Sequence, residues 1–102
     1  MPNMSEISKL AELRKMLLGM ERALGLEDLS AVERDIYYAA SDISDSQDGF
    51  RTIGLQKHSL VAGISRPTFF RALKSLVQKG YLSPSDTSDR GKYVVKHPSA
   101  KN

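Results

Sequence analysis

The 102-residue sequence predicts a mostly α-helical domain completed by a small β-hairpin, and three observations carry that expectation. Two stretches, from Ser5 to about Leu24 and from Ser65 to Lys79, repeat apolar residues at helical spacing and contain no proline beyond the first turn. Ser30 followed by Glu33 forms the phrase that opens a third helix, since each side chain can satisfy a free N–H of the other's backbone. Near the end, Tyr81-Leu82-Ser83 and Lys92-Tyr93-Val94-Val95-Lys96 flank a polar run from Pro84 to Gly91, the pattern of two strands and a turn.

The first helix has Leu10, Leu13, Leu17, Met20 and Leu24 at spacings of 3, 4, 3 and 4, a heptad seam broadened by Ile7, Ala11 and Leu18. Charged residues fill the other faces. Such a helix either packs on its own domain or pairs with a second copy. With fewer than three heptads, pairing needs further contacts, so helices crossing within a compact dimer are expected rather than a continuous two-stranded coil.

Gly25 to Leu29 is a short connector. The helix opened by Ser30 buries Val32, Ile36, Ala39, Ala40 and Ile43, with Tyr37 and Tyr38 at the core's edge or against the first helix. Residues 42–49 are polar and loop-like. Their acids do not make a calcium loop: if Gly49 is position 6, position 12 falls on Leu55, where a bidentate Glu is required. Phe50-Arg51 is expected to pair with the hairpin, and Thr52 to cap a helix running to about Leu60, ending near His58 if the following link is loose.

The stretch from Gly63 to Leu82 is the most informative. Ser65 is suited to cap a helix, Pro67 sits where no N–H is needed, and Gly80 follows the last turn. At about 100° per residue, Phe69, Ala72, Leu73 and Leu76 share one face, with Val77 at its edge. Pro67, Arg71, Lys74, Ser75 and Gln78 occupy the opposite face, flanked by Arg66 and Phe70. That face has no acidic residue in a chain holding twelve acids.

Charge is divided in the same sense. Residues 1–50 hold five Lys/Arg and ten Asp/Glu, a net −5; residues 51–102 hold ten and two, a net +8. The second half is therefore suited to a polyanion. There is no cysteine, so disulfides, thiolate zinc sites and a cysteine nucleophile are excluded. His58 and His97 stand alone, without a ligand spacing, and His58 reads as a turn residue or a phosphate contact. No phosphate-binding glycine loop occurs, so neither an enzyme nor a cofactor is expected. No apolar run is long enough for a membrane span and no signal-peptide core is present, so a cytoplasmic protein without a membrane partner is the expectation.

The run Gly63-Ile64-Ser65, the start Arg66-Pro67-Thr68, the spaced Leu73 and Leu76, and Lys79-Gly80-Tyr81-Leu82 together resemble the recognition helix of winged helix-turn-helix regulators, particularly the MarR-like bacterial families. Leu29-Ser30 with Glu33 resembles the opening of their first domain helix, and Asp89-Arg90 resembles a phrase at their wing. The match covers about 30 residues directly and roughly residues 29–96 in architecture. It implies an N-terminal helix over residues 1–26, a winged domain over 27–97 and a polar tail over 98–102.

By that resemblance the protein binds double-stranded DNA as a homodimer and regulates transcription, with helix 65–79 in the major groove and the wing, residues 83–92, at the minor groove. Arg66, Thr68 and Arg71 fall near base edges, because early residues of such a helix reach deepest. Lys57, Ser65 and Lys74 hold phosphates. Arg90 and Lys92 work at the wing, unless Arg90 only pairs with Asp86 or Asp89. Phe70 either presses on thymine methyls, packs on another protein or belongs to the core margin. MarR-like chains usually continue past the wing into dimer-forming helices; here the sequence closes at Asn102, which leaves Leu10, Leu13, Leu17, Met20 and Leu24 as the dimer seam. The alternative from another class is a winged-helix adaptor that binds protein and not DNA.

Overall fold

The computed structural model describes residues 3–44, 49–85 and 91–98. Four α-helices and a three-stranded sheet follow one another as α1 (Met4–Ala23), a single 3-10 turn (Leu26–Asp28), α2 (Ala31–Ile43), β1 (Phe50–Arg51), α3 (Thr52–Gln56), α4 (Arg66–Gln78), β2 (Leu82–Pro84) and β3 (Lys92–Val95). The domain is thus mostly helical, with a small antiparallel sheet. β3 lies in the middle: Phe50 pairs with Tyr93 on one side, and Leu82 with Val95 on the other. The central strand is last in sequence, so the sheet closes only when the chain's end returns between β1 and β2.

The starts of α2 and α4 follow the side chains expected to cap them, whereas α1 starts one residue earlier than expected, from a cap at Asn3. Asn3 Oδ1 accepts the Glu6 N–H at 2.9 Å at the head of α1. At α2, the Ser30 N–H donates to Glu33 Oε1 at 2.8 Å, and the Glu33 N–H donates to Ser30 Oγ at 3.1 Å, a complete reciprocal box. α4 begins after Ser65 and ends before Gly80, whose φ of 89° turns the chain into β2.

The core lies between α2 and α4 and runs under the sheet. Ile36, Ala39 and Ala40 of α2 meet Phe69, Leu73 and Leu76 of α4, with Leu55, Val61 and Leu82 closing the sides. Tyr37 lies inside it, not at its edge: its hydroxyl donates to the Lys96 carbonyl at 2.5 Å, and its ring meets Tyr81 edge-on at 5.1 Å. Burial, then the neighbouring Tyr81, raises the pKa of that hydroxyl. Gly49 leads into β1 at φ 79°, and a Cβ there would lie 2.1 Å from the Tyr93 carbonyl oxygen, so only glycine fits.

The segment after β1 departs from the expected pattern. Thr52 is the first residue of α3, not its cap, and its N–H donates to the Gly91 carbonyl at 3.0 Å. Arg51, still in β1, takes the cap position without a side-chain bond. α3 stops at Gln56, short of Leu60 and close to the earlier end expected near His58, and a looser link of turns follows. His58 explains the early stop: its Nδ1 accepts the Leu60 N–H at 3.1 Å, and its Nε2 lies 2.8 Å from Asp42 Oδ2. Val61 therefore enters the core, while Ile53 and Leu60 stay exposed. Asp42 and Ile43 belong to the last turn of α2; the rest of the polar loop, residues 45–48, lies outside the described residues.

α1 stands largely clear of the body, and the molecule extends 52 × 34 × 24 Å. Among the described residues, only its last turns are anchored. Glu21 is buried; its Oε2 accepts from the Tyr38 hydroxyl at 2.5 Å and lies 3.8 Å from Arg34 Nε. Burial and then the hydrogen bond to Glu21 push the Tyr38 pKa well above that of an ordinary tyrosine. Arg34 also donates to the Leu29 carbonyl at 2.8 Å, fastening the 3-10 turn. No helix among the described residues is long and apolar enough to cross a membrane.

Candidate nucleic-acid interface

α4 owes its two faces to sequence spacing. Phe69, Leu73 and Leu76 are buried against α2, which turns Pro67, Arg71, Lys74 and Gln78 outward in one row along the helix. None of Arg66, Arg71 and Lys74 makes an ion pair with a described residue. The row stands on a helix packed against the core, and no described residue compensates its charge, the condition under which cations face an external anion.

The first turn is held by its own hydroxyls. Ser65 Oγ accepts the Thr68 N–H at 3.4 Å and lies 2.9 Å from Thr68 Oγ1. Both hydroxyl groups are thereby oriented at the helix head, where the backbone dipole adds positive potential. Ser65→Ala is expected to cost about 1 kcal/mol of stability and to loosen Thr68. Urea unfolding checks this; an unchanged midpoint would mean that the hydroxyl does not cap.

Phe70 occupies a position of its own. Its ring meets Phe69 edge-on at 4.9 Å and lies under the Arg66 guanidinium, 5.2 Å from carbon to centroid, while staying 38% exposed. It is a lateral support at the margin of the core. It links the buried Phe69 to the exposed Arg66, and the cation–π contact holds that guanidinium at the helix head.

Lys79, read from sequence only as a match to the helix dipole, is turned away from the outward row. Its ammonium donates to Glu33 Oε1 at 3.0 Å and to the Asp28 carbonyl at 3.1 Å. Burial by itself would raise the Glu33 pKa. The Ser75 hydroxyl, the Ser30 N–H and Lys79 outweigh it and bring the pKa down to about 2. This clasp fixes the C-terminal end of α4 to the N-terminal end of α2.

Of the remaining predicted residues, Lys57 is exposed at the C-cap of α3, and Lys92 is half-buried at the start of β3, opposite Arg51. Arg51 is a further exposed cation beside the hairpin that the sequence reading passed over; its pairing with Lys92 was implicit in the expected strand. Arg90, with Asp86 and Asp89, lies outside the described residues, as do residues 99–102 of the tail. His58 is no phosphate contact, because both ring nitrogens are engaged within the chain. The predicted seam on α1, Leu10, Leu13, Leu17, Met20 and Leu24, is exposed along its whole length.

No known protein family, curated protein or solved structure matches this chain. Among the described residues, no group of three or more His, Cys, Asp or Glu is placed to hold a metal ion. An open groove between the head of α2 and α4, lined by Ser30, Val32, Glu33, Thr68, Arg71, Ala72 and Ser75, adjoins the outward row; its one acid, Glu33, is held by Lys79. What the surface offers chemically is cations and hydroxyls on a fixed helix, suited to phosphate oxygens and to acceptor atoms such as those on a guanine edge.

Proposed function

We propose that the chain is a winged helix-turn-helix protein of the MarR-like kind that binds double-stranded DNA and regulates transcription from the cytoplasm. The observation that carries this reading is the outward face of α4: three cations, no acid and no ion pair with a described residue, on a helix whose other side is core. The order α2, β1, α3, α4, β2, β3, with β3 between the other two strands, supports the fold part of the reading.

In this reading α4 enters the major groove with Arg66, Thr68 and Arg71 nearest the base edges. Lys74 and Lys57 neutralise phosphates. Ser65 helps mainly by holding the helix head, since its hydroxyl is tied to Thr68. Lys92 contacts the backbone at the wing, and residues 83–92 approach the minor groove.

Fluorescence anisotropy with a mixed pool of genomic DNA fragments, run across a salt series, tests the proposal. Binding is expected to weaken steeply, with a log–log slope of roughly −3 to −5 for four or five neutralised phosphates. Retained fragments then give the operator. No binding even at the lowest salt would overturn the proposal in favour of a protein-docking module.

A further inference from the structure

The head of α4 carries an arrangement that charge alone does not explain. Phe70 keeps more than a third of its surface exposed although its neighbour Phe69 is buried. Its ring is braced edge-on by Phe69, and the Arg66 guanidinium stands over it. A long cationic side chain at a helix start ordinarily samples several rotamers. Here the ring gives one side of the guanidinium an apolar seat, and the attraction between cation and ring holds it there. Arg66 makes no ion pair with a described residue, which leaves its donors for a ligand. It is also the first residue of α4, the end from which such a helix reaches base edges.

That seat selects a base step. A guanidinium that gives two hydrogen bonds to O6 and N7 of a guanine lies close to the plane of that base. The neighbouring bases stack about 3.4 Å above and below it. With the Phe70 ring on one side of the guanidinium, the other side is open toward a stacked neighbour. A pyrimidine on the 5′ side of the guanine presents its C5 substituent there, in the major groove. A hydrogen at C5 leaves that side of the cation to water, whereas a methyl covers it. Guanidinium is weakly hydrated on its faces and stacks well, so apolar cover on both sides costs it little while its edge stays on the guanine. A lysine ammonium has no such faces.

We propose that Arg66, seated on Phe70, reads a guanine preceded on the same strand by a 5-methylpyrimidine, either thymine or 5-methylcytosine. The inference rests on the DNA-binding reading above and deepens it. Phe70 is then a positioning residue: it fixes Arg66, and the methyl rests on the guanidinium, not on the ring.

Selection from short duplexes with a randomised centre, followed by anisotropy on the duplex best retained, tests this. The retained sequences should share a thymine–guanine step. Uracil in place of that thymine removes only the methyl and should lower affinity about fourfold, the worth of one buried methyl group. With cytosine there and guanine opposite, 5-methylation should raise affinity by a similar factor. The stronger of the two methylated duplexes identifies the base for which the site is built. Phe70→Tyr should keep the preference for thymine over uracil. Phe70→Leu keeps apolar bulk beside Phe69 but offers the cation no ring, and should abolish that preference with the salt slope unchanged. Arg66→Lys should abolish it as well and bind about tenfold more weakly, through loss of the guanine contact.

Equal binding of the thymine and uracil duplexes by the native chain would overturn this inference and leave DNA binding standing. A thymine preference that survives Arg66→Lys would also overturn it, by placing the methyl on the Phe70 ring itself. Failure to bind any duplex at the lowest salt would overturn both readings together.

Discussion

Replacing Arg71 and Lys74 together with alanine is expected to lower affinity for DNA by about two orders of magnitude while leaving the domain folded. Both side chains are exposed, Arg71 at the open groove beside α2 and Lys74 further along the row, and neither pairs within the described part of the chain. Their loss therefore removes little from the folded state, and alanine is a better helix former than either. In the complex the two differ. An arginine that meets a guanine edge with two donors contributes about 1–3 kcal/mol of discrimination, whereas a lysine at phosphate contributes a sequence-independent term. The Arg71→Ala change alone should relax sequence preference, and Lys74→Ala alone should reduce the salt slope by about 1. Anisotropy titrations at fixed salt, with urea unfolding as control, measure both. Undiminished affinity in the double variant would take α4 out of the interface and leave the wing and Lys57 to be tested next.

What the sequence discloses about this face is local. The Ser65 cap, the Gly80 stop, the split of α4 into buried and outward rows and the Ser30–Glu33 box all depend on residues within one or two turns. Each is met where expected. What was hidden depends on residues far apart. Thr52 has the chemistry of a cap, but pairing of β1 with β3 keeps Arg51 extended and sets the Thr52 N–H on the Gly91 carbonyl, so the cap position falls on Arg51. The periodicity that carries α3 on to Leu60 is overruled by a histidine ring clamped to Asp42, sixteen residues earlier. Lys79 looks like one more cation of a basic segment, and only the approach of α2 removes it from that set. Phe70 could be resolved by periodicity no further than a margin; the edge-on Phe69 and overlying Arg66 give that margin its use.

Glu33→Gln is expected to cost about 3 kcal/mol at neutral pH and to flatten the acid limb of the stability profile. The carboxyl is held at a pKa of about 2, against an ordinary value of 4.5. A carboxyl depressed in the folded state contributes stability that is fully present above the unfolded value, here above about pH 4.5. That stability is lost as pH falls from there toward about 2. At about 1.4 kcal/mol per pH unit the interval corresponds to the stated figure. It is an upper figure, since the Lys79 end of the clasp is partly open to solvent. Glutamine keeps an acceptor for the Ser30 N–H but brings no charge to Lys79. Native and variant stabilities, followed by urea unfolding from pH 7 downward, should therefore converge as pH approaches 2. A variant whose deficit persists unchanged to low pH would show that packing, not charge, is what Glu33 supplies. Because the clasp joins the tail of α4 to the head of α2, its loss should also let the outward row of Arg71 and Lys74 tilt relative to the domain. The same variant is thus expected to bind DNA more weakly above pH 5 although no residue facing the groove has changed.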